Sequence, residues 1–167
     1  MKVAGAILII GICWLWGVDF YKSNIKKKNF AKGLYNGIGF LRTDIVYSCN
    51  FLAEGIIKSA EFSGDAAEFM KNIGNELNNN GVTLVQAFER TKQLLEQSTD
   101  KDTCLITKDL FLQLGETDCE NQGKLIDGYL EKLSDIIIKQ DEFCKKECTI
   151  IRKAGVIIGV GIAILLV

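Results

Sequence analysis

Two uncharged apolar runs lie at the two ends of the chain, over residues 3–18 and 154–167. A backbone inside hydrocarbon must satisfy its own hydrogen bonds, so each run is expected to form a membrane-embedded helix. A full crossing takes about 20 apolar residues, and these runs have 16 and 14. Each span is therefore expected to include flanking residues, which predicts transmembrane helices over 1–21 and 153–167.

Basic residues flank both runs on the side that faces the middle of the chain. They are Lys22, Lys26, Lys27, Lys28 and Lys32 after the first run, and Lys139, Lys145, Lys146, Arg152 and Lys153 before the second. The positive-inside rule therefore predicts that the middle segment, residues 22–152, is cytoplasmic and that both termini lie outside. The side chains expected to meet anionic lipid headgroups are those of Lys26, Lys27, Lys28, Arg152 and Lys153.

The first run also matches the general pattern of a cleaved signal peptide, because a single lysine, Lys2, precedes it. The run ends in Trp14, Leu15, Trp16 and Gly17, without a small-x-small cleavage site. Tryptophan at this position favours an aromatic belt at a membrane interface. With the middle in the cytoplasm, five of the six cysteines are expected to be reduced thiols.

The middle segment is expected to be all-α, since the chain contains no proline. Apolar residues recur at helical spacing in three series. The series are Leu34, Ile38, Leu41 and Ile45; Leu84, Val85, Phe88 and Leu95; and Ile126, Tyr129, Leu133, Ile136 and Phe143. Capping boxes at Thr83–Gln86 and Thr117–Glu120 indicate helix starts. The predicted helices cover 22–48, 51–61, 65–78, 83–98, 103–115 and 118–166.

The last predicted helix would continue without interruption from the cytoplasmic segment into the C-terminal span. At 1.5 Å per residue it would be on the order of 70 Å long. We expect such a helix to couple cytoplasmic events to the bilayer, and a helix break near Gln140 would contradict that expectation.

Catalytic chemistry is not indicated anywhere in the sequence. The chain has no histidine, which excludes histidine as a general base and any Ser-His-Asp arrangement. No phosphate-binding glycine loop is present, and no cofactor or metal site is predicted. Residues 33–138 contain 17 acidic and 9 basic side chains. This acidic balance argues against a nucleic-acid partner and suits either a basic protein partner or a solvated surface.

Two motifs resemble those of a known family. The stretch Leu114-Gly-Glu-Thr-Asp118-Cys-Glu-Asn-Gln122 resembles the Leu-Gly-x-x-Asp-x-x-x-Gln signature of stage III sporulation protein AB. Upstream, Leu41-Arg-Thr-Asp-Ile-Val-Tyr47 is similar to that family's Leu-Glu-x-Glu-Ile-x-Tyr motif. The chain departs from the pattern by having Arg42 and Asp44 in place of Glu, Phe51 in place of Pro and Phe111 in place of Gly.

The resemblance implies a fold, a location and partners. The implied fold is a six-helix antiparallel bundle, similar to the F-type inner-membrane platform proteins of type II secretion, here between two membrane-anchoring helices. The implied location is the mother-cell membrane around the forespore, within a channel complex that joins the two cells. The implied partners are other stage III sporulation operon proteins, including the AA ATPase, together with membrane lipids; a homo-oligomer is left open.

The motif residues define the predicted site, which is an interaction site and not a catalytic one. Its members are Leu114, Gly115, Asp118, Gln122, Asp44 and Tyr47. A structural role is also open, with Thr117 as a helix cap, Asp118 and Glu120 in the first turn, and Gly115 as a terminator. Tyr47 is expected to be half-buried with its hydroxyl hydrogen-bonded.

Two functions from other classes remain open. One is a generic membrane-anchored helical scaffold in envelope or division assembly, which predicts long heptad repeats. The other is an extracytoplasmic, tail-anchored protein with a cleaved signal, using Cys144 and Cys148 for redox chemistry. Retention of residues 1–18 and of six free thiols in the intact protein would exclude the second.

Overall fold

The computed structural model describes residues 2–48, 51–79, 81–116, 118–148 and 150, and within these ranges the chain is helical, without strands. This confirms the predicted all-α class. The six α-helices are α1 (Lys2–Ser48), α2 (Leu52–Ser59), α3 (Ala67–Leu77), α4 (Leu84–Ser98), α5 (Lys101–Gln113) and α6 (Cys119–Phe143). Two 3₁₀ turns, Ala60–Phe62 and Gly64–Ala66, connect α2 to α3, and a π-helical stretch, Cys144–Cys148, follows α6.

Helix α1 begins at Lys2 and continues past residue 22, where a separate helix had been expected to start. The prediction of a helix boundary between 21 and 22 is therefore wrong. No glycine or proline occurs between Asp19 and Asn24 to interrupt the helix. The side-chain amide of Asn24 donates a hydrogen bond to the backbone carbonyl of Phe20 at 2.8 Å, which is compatible with continued helix.

The chain divides into two compact units, residues 26–138 and residues 1–25 with 139–167. In the part of the chain that the structure describes, no helix is both long and apolar enough to cross a membrane. The predicted span over 153–167 lies outside the described residues, as do the side chains of residues 2–11 in the first predicted span. Helix α6 passes Gln140 without a break and ends at Phe143, and its predicted continuation over 151–166 also lies outside the described residues.

In the unit formed by residues 26–138, the first and last helices run antiparallel. Arg42 meets Asp127, and one turn further along α1 the side chain of Val46 lies against Gly123. Helices α2 to α6 are joined by short connections, and α2, α3 and α4 each pack against the next helix in sequence. Helix α5 contacts α6 through Thr107 and Tyr129. With six antiparallel helices, residues 26 and 138 lie at one end, while the α1–α2, α3–α4 and α5–α6 connections lie at the other.

The core of this unit contains the predicted apolar stripes. Leu34, Ile38, Leu41 and Ile45 are at most 5% exposed. The aromatic centre is formed by Phe69, whose ring lies edge-on to those of Phe88 and Phe111. In the last series, Ile126, Tyr129 and Leu133 are buried, whereas Ile136 is half-buried and Phe143, in the other unit, is 37% exposed. Val85 is also exposed, at 39%. The three predicted core stripes are thus confirmed except at their edges.

Helix α1 and the 3₁₀ connection that follows α2 approach each other closely. A β-carbon added at Gly33 would lie 2.1 Å from the backbone oxygen of Ser63, and one added at Gly37 would lie 1.9 Å from Ser63 Oγ. The hydroxyl of Ser63 donates to the carbonyl of Ser59 at 2.8 Å, so the connection is held by its own side chain. Only glycine permits this contact, because any side chain would occupy the space of the connection.

A chain of buried hydroxyls links α5 to α6. The Tyr129 hydroxyl lies 3.1 Å from Thr107 Oγ1, which donates to the carbonyl of Thr103 at 2.7 Å. Because the Thr107 proton is used in that bond, the Tyr129 hydroxyl donates to Thr107. Burial raises the pKa of Tyr129 above its ordinary value, because the charged phenolate would be desolvated. The phenol therefore stays neutral in the folded state.

The glycines of α1 give the first prediction. Gly33→Ala and Gly37→Ala should each lower the free energy of unfolding by about 1–3 kcal/mol, because the added methyl group overpacks a rigid contact. Gly39→Ala on the same helix is the matched control, since its β-carbon meets nothing within 4 Å. It should stabilise by about 0.5–1 kcal/mol. Urea unfolding of the full chain in detergent, followed by circular dichroism, measures all three, and equal effects at the three positions would contradict the contact.

Tyr129 gives a second prediction, on alkaline stability. The folded-state pKa lies above the ordinary value of 10.0, so the stability linked to this phenol is complete below that pH and is lost as pH rises through the folded-state pKa. The loss should approach about 1.4 kcal/mol per pH unit. Tyr129→Phe should remove this component and cost about 1 kcal/mol near neutral pH. Tyr35→Phe changes a tyrosine that is 39% exposed, and this variant should still lose stability at alkaline pH. If Tyr129→Phe lost stability with rising pH as steeply as the parent protein, Tyr129 would not be the group responsible.

Candidate functional site

The two motif segments meet at the end of the bundle that holds the α1–α2 and α5–α6 connections. A β-carbon added at Gly115 would lie 3.4 Å from Leu52 Cδ2, and Val46 Cγ2 would lie 2.7 Å from one added at Gly123. Sequence positions separated by more than 60 residues are therefore neighbours in the fold. We call this end the tip and define it by the described residues 44–48, 51–52, 114–116 and 118–122.

The turn between α5 and α6 contains a glycine in the left-handed conformation. Helix α5 ends at Gln113, Leu114 follows in an extended conformation, and Gly115 has a φ of 91°. A left-handed residue just after a helix end is the normal place for glycine, so its predicted role as a terminator is confirmed. Leu114 is 3% exposed and belongs to the core, so its side chain is not available to a partner at this surface.

Helix α6 starts one residue later than predicted. Asp118 precedes it, and the Asp118 carbonyl accepts the first helical hydrogen bond, from the backbone N–H of Gln122 at 2.9 Å. The Asp118 carboxylate accepts a hydrogen bond from the side-chain amide of Asn121 at 2.6 Å. Asp118 is exposed and Gln122 is half-buried. Thr117, predicted as the cap, lies outside the described residues.

Tyr47 is 79% exposed, so the prediction of a half-buried tyrosine is wrong. It follows the buried Ile45 by two residues, which turns it about 200° around the helix, away from the core. Phe51, on the other side of the turn, is 87% exposed. Sequence reasoning noted Phe51 only as a replacement for proline and did not place it in the site. A large aromatic residue in a connection where proline is usual was the available signal.

Asp44 faces a neighbouring helix instead of the outer surface of the tip. Its carboxylate lies against α2, so that a β-carbon added at Gly55 would be 2.9 Å from Asp44 Oδ2. The pKa of Lys58 is raised, mainly by the hydrogen bond that Lys58 donates to Glu54, and the negative charge of Asp44 makes a smaller contribution. Asp44 therefore belongs to the contact between α1 and α2.

A bidentate ion pair joins the two motif-bearing helices just below the tip. Arg42 Nε lies 2.5 Å from Asp127 Oδ1, and a terminal guanidinium nitrogen lies 2.8 Å from Oδ2. The hydrogen bonds from Arg42 hold the pKa of Asp127 below its ordinary value, and the pKa of Arg42 is raised in return. The sequence singled out Arg42 as a departure from the family motif, but nothing in the sequence identified Asp127 as its partner.

The tip combines exposed aromatic side chains with exposed carboxylates. Two exposed aromatic side chains, Tyr47 and Phe51, lie at the same end as the exposed carboxylates of Glu116, Asp118 and Glu120. Aromatic residues are the usual energetic centre of a protein interface, and charges at its rim set the choice of partner. Across the described ranges, no group of three or more Cys, Asp or Glu side chains is placed to hold a metal ion.

The family comparison agrees with these motifs. The family model for stage III sporulation protein AB matches residues 2–167. The chain belongs to this family. It is therefore a sporulation stage III protein. No curated protein and no solved structure matched the chain.

Some of the residues predicted to meet lipid headgroups lie within the described ranges. Lys26 is exposed, and Lys27 and Lys28 are half-buried on α1. Arg152 and Lys153 lie outside the described residues. Cys104, Cys119 and Cys144 form no disulfide, and the side chain of Cys148 lies outside the described residues.

The ion pair between Arg42 and Asp127 predicts a specific acid response. Because the folded-state pKa of Asp127 lies below its ordinary value of 3.8, the stability it contributes is present above that pH and is lost on further acidification. Arg42→Gln should therefore lower the thermal midpoint of unfolding at about pH 6. The thermal midpoints at about pH 6 and about pH 3 should then lie closer together than they do in the parent protein.

Lys124→Gln is the matched control for that experiment, because it removes an exposed pair within α6, with Glu120 at 2.8 Å. Pairs of this kind contribute little, so the control should behave as the parent protein. Differential scanning calorimetry of the full chain at the two pH values gives the comparison. If Arg42→Gln and Lys124→Gln changed the thermal midpoints at the two pH values equally, the ion pair between α1 and α6 would not stabilise the fold more than an ordinary exposed pair.

Proposed function

We propose that this protein is a membrane-anchored platform component of the sporulation stage III channel complex that links mother cell and forespore. In this proposal it lies in the mother-cell membrane, with residues 22–152 in the cytoplasm and both termini outside. It has no catalytic role of its own. The exposed aromatic and acidic tip is the observation that carries the proposal, because it offers a docking surface at a defined end of the bundle.

The position of the tip supports a platform role. Residues 26 and 138, through which the chain enters and leaves the bundle, lie at the opposite end from the tip. Lys26, Lys27 and Lys28 occur at that entry point, where basic side chains would favour anionic lipid headgroups. A bundle held by its entry end would present the tip to the cytoplasm.

The proposed occupant of the tip is the family's AA ATPase. The sequence contains no phosphate-binding loop of the Gly-x-x-x-x-Gly-Lys type, so energy-driven work in the complex would need nucleotide hydrolysis by another chain. An acidic rim around Tyr47 and Phe51 would select a basic patch on that partner. Other stage III proteins and membrane lipids would complete the assembly.

Binding of the full chain, in lipid nanodiscs, to the purified AA ATPase tests the proposal. Phe51→Ala and Asp118→Lys should each weaken binding at least about fivefold, since one removes an aromatic anchor and the other reverses a rim charge. Added salt should weaken binding further. Both side chains are exposed, so the variants should keep the helical content of the parent protein.

Asp102→Lys is the matched control, because Asp102 is exposed at the start of α5, at the opposite end from the tip. It should change affinity less than about twofold, as expected for a charge distant from the contact. If the folded parent protein failed to bind, or if Asp102→Lys and Asp118→Lys weakened binding equally, the tip would not be the docking surface. The generic membrane scaffold would then be the better interpretation.

A further inference from the structure

Gly128 lies in the interior of α6, yet the fold does not require a glycine there. In this unit, Gly33, Gly37, Gly55, Gly74 and Gly123 are each within 3 Å of a neighbour once a β-carbon is added. A β-carbon on Gly128 would meet nothing within 4 Å, and its φ is not positive. Glycine inside a helix costs about 0.5–1 kcal/mol relative to alanine. No close contact with another described residue requires glycine at this position.

Gly128 lines an open groove of about 260 Å³ between α5 and α6. The apolar lining comes from Ile106 and Leu110 on α5 and Leu125 on α6. Because Gly128 is exposed and carries no side chain, a second backbone could approach α6 closely at this point. Close approach of two helices is favoured where one of them presents a small residue.

The two sides of the groove carry different charges. Lys124 and Lys132 lie one turn before and one turn after Gly128 on α6, eight residues or about 12 Å apart. Asp109 and Gln113 form the opposite side, on α5. Lys124 pairs with the exposed Glu120, and Lys132 is exposed. In a unit with an excess of acidic side chains, this is a locally basic edge.

We propose that the α5–α6 groove is a docking site for an amphipathic helix of a partner protein, with small apolar residues against Gly128 and acidic residues against Lys124 and Lys132. Charge complementarity selects the occupant: two carboxylates placed two turns apart on a partner helix can reach the two lysines. Asp109 on the opposite edge disfavours acidic side chains there, so the acidic face of the partner helix is directed toward α6 and away from α5. This site differs from the tip and does not depend on the ATPase contact.

The test uses a synthetic 21-residue helix with alanine and leucine on one stripe and two glutamates seven positions apart. An otherwise identical helix carries lysine in place of both glutamates. Fluorescence anisotropy with the full chain in nanodiscs should show the acidic helix binding at least about tenfold more tightly than the basic one. Gly128→Leu should reduce that binding at least about tenfold while leaving the chain as stable as the parent protein or more so, because leucine favours helix and fills only the groove.

Lys132→Glu should weaken binding of the acidic helix and strengthen binding of the basic one. Lys71→Glu, at an exposed lysine of α3, is the matched control and should change neither. Equal affinity for the two helices, no saturation, or unchanged binding to Gly128→Leu would overturn the proposal. Light scattering adds a further check: if the full chain dimerises and Gly128→Leu disperses the dimer, the occupant is a second copy and the proposed partner helix is wrong.

Discussion

The contact of α1 with the connection after α2 sets the geometry on which the rest of the bundle depends. Gly33 and Gly37 are one helical turn apart and leave a flat strip on α1, on which Ser63 and the neighbouring backbone lie. A stack between Phe40 and Phe62, with ring centroids 4.2 Å apart, holds the same connection from the side. The chain is thereby turned back so that α3 delivers Phe69 to the aromatic centre of the core.

The tip lies at the opposite end of the bundle and also depends on this arrangement. With α2 held along α1, Leu52 reaches Gly115 and the α5–α6 turn is fixed beside the α1–α2 turn. The ion pair of Arg42 with Asp127 and the contact of Val46 with Gly123 keep α6 in register with α1. Exposed aromatic residues at the tip are thus supported by buried contacts beneath them. If the tip is the docking surface proposed above, this support would keep its reorganisation on binding small, which favours affinity.

Local features were predictable from the sequence, and pairings between distant residues were not. The capping box at Thr83 and Gln86 was found because both partners lie within four residues, and the structure has both of its hydrogen bonds. The stripe from Leu34 to Ile45 follows from helical periodicity alone. Gly33 and Gly37 gave no such signal, because their role depends on a backbone segment about 30 residues away. The burial of Tyr47 was predicted wrongly because the motif does not indicate which way its side chain points. That direction follows from the helix, since Tyr47 lies two residues after the buried Ile45.

The pairing of Arg42 with Asp127 joins residues 85 positions apart, so it can form only after most of the chain has been synthesised. A ribosome adds about 5–20 residues per second, so roughly 5–20 s pass between synthesis of the end of α1 and of the end of α6. During that interval the apolar stripe of α1 lacks its last covering helix. Early association of the nascent chain with a membrane or a chaperone would protect it, and a slowly translated segment between α1 and α6 would prolong the exposure.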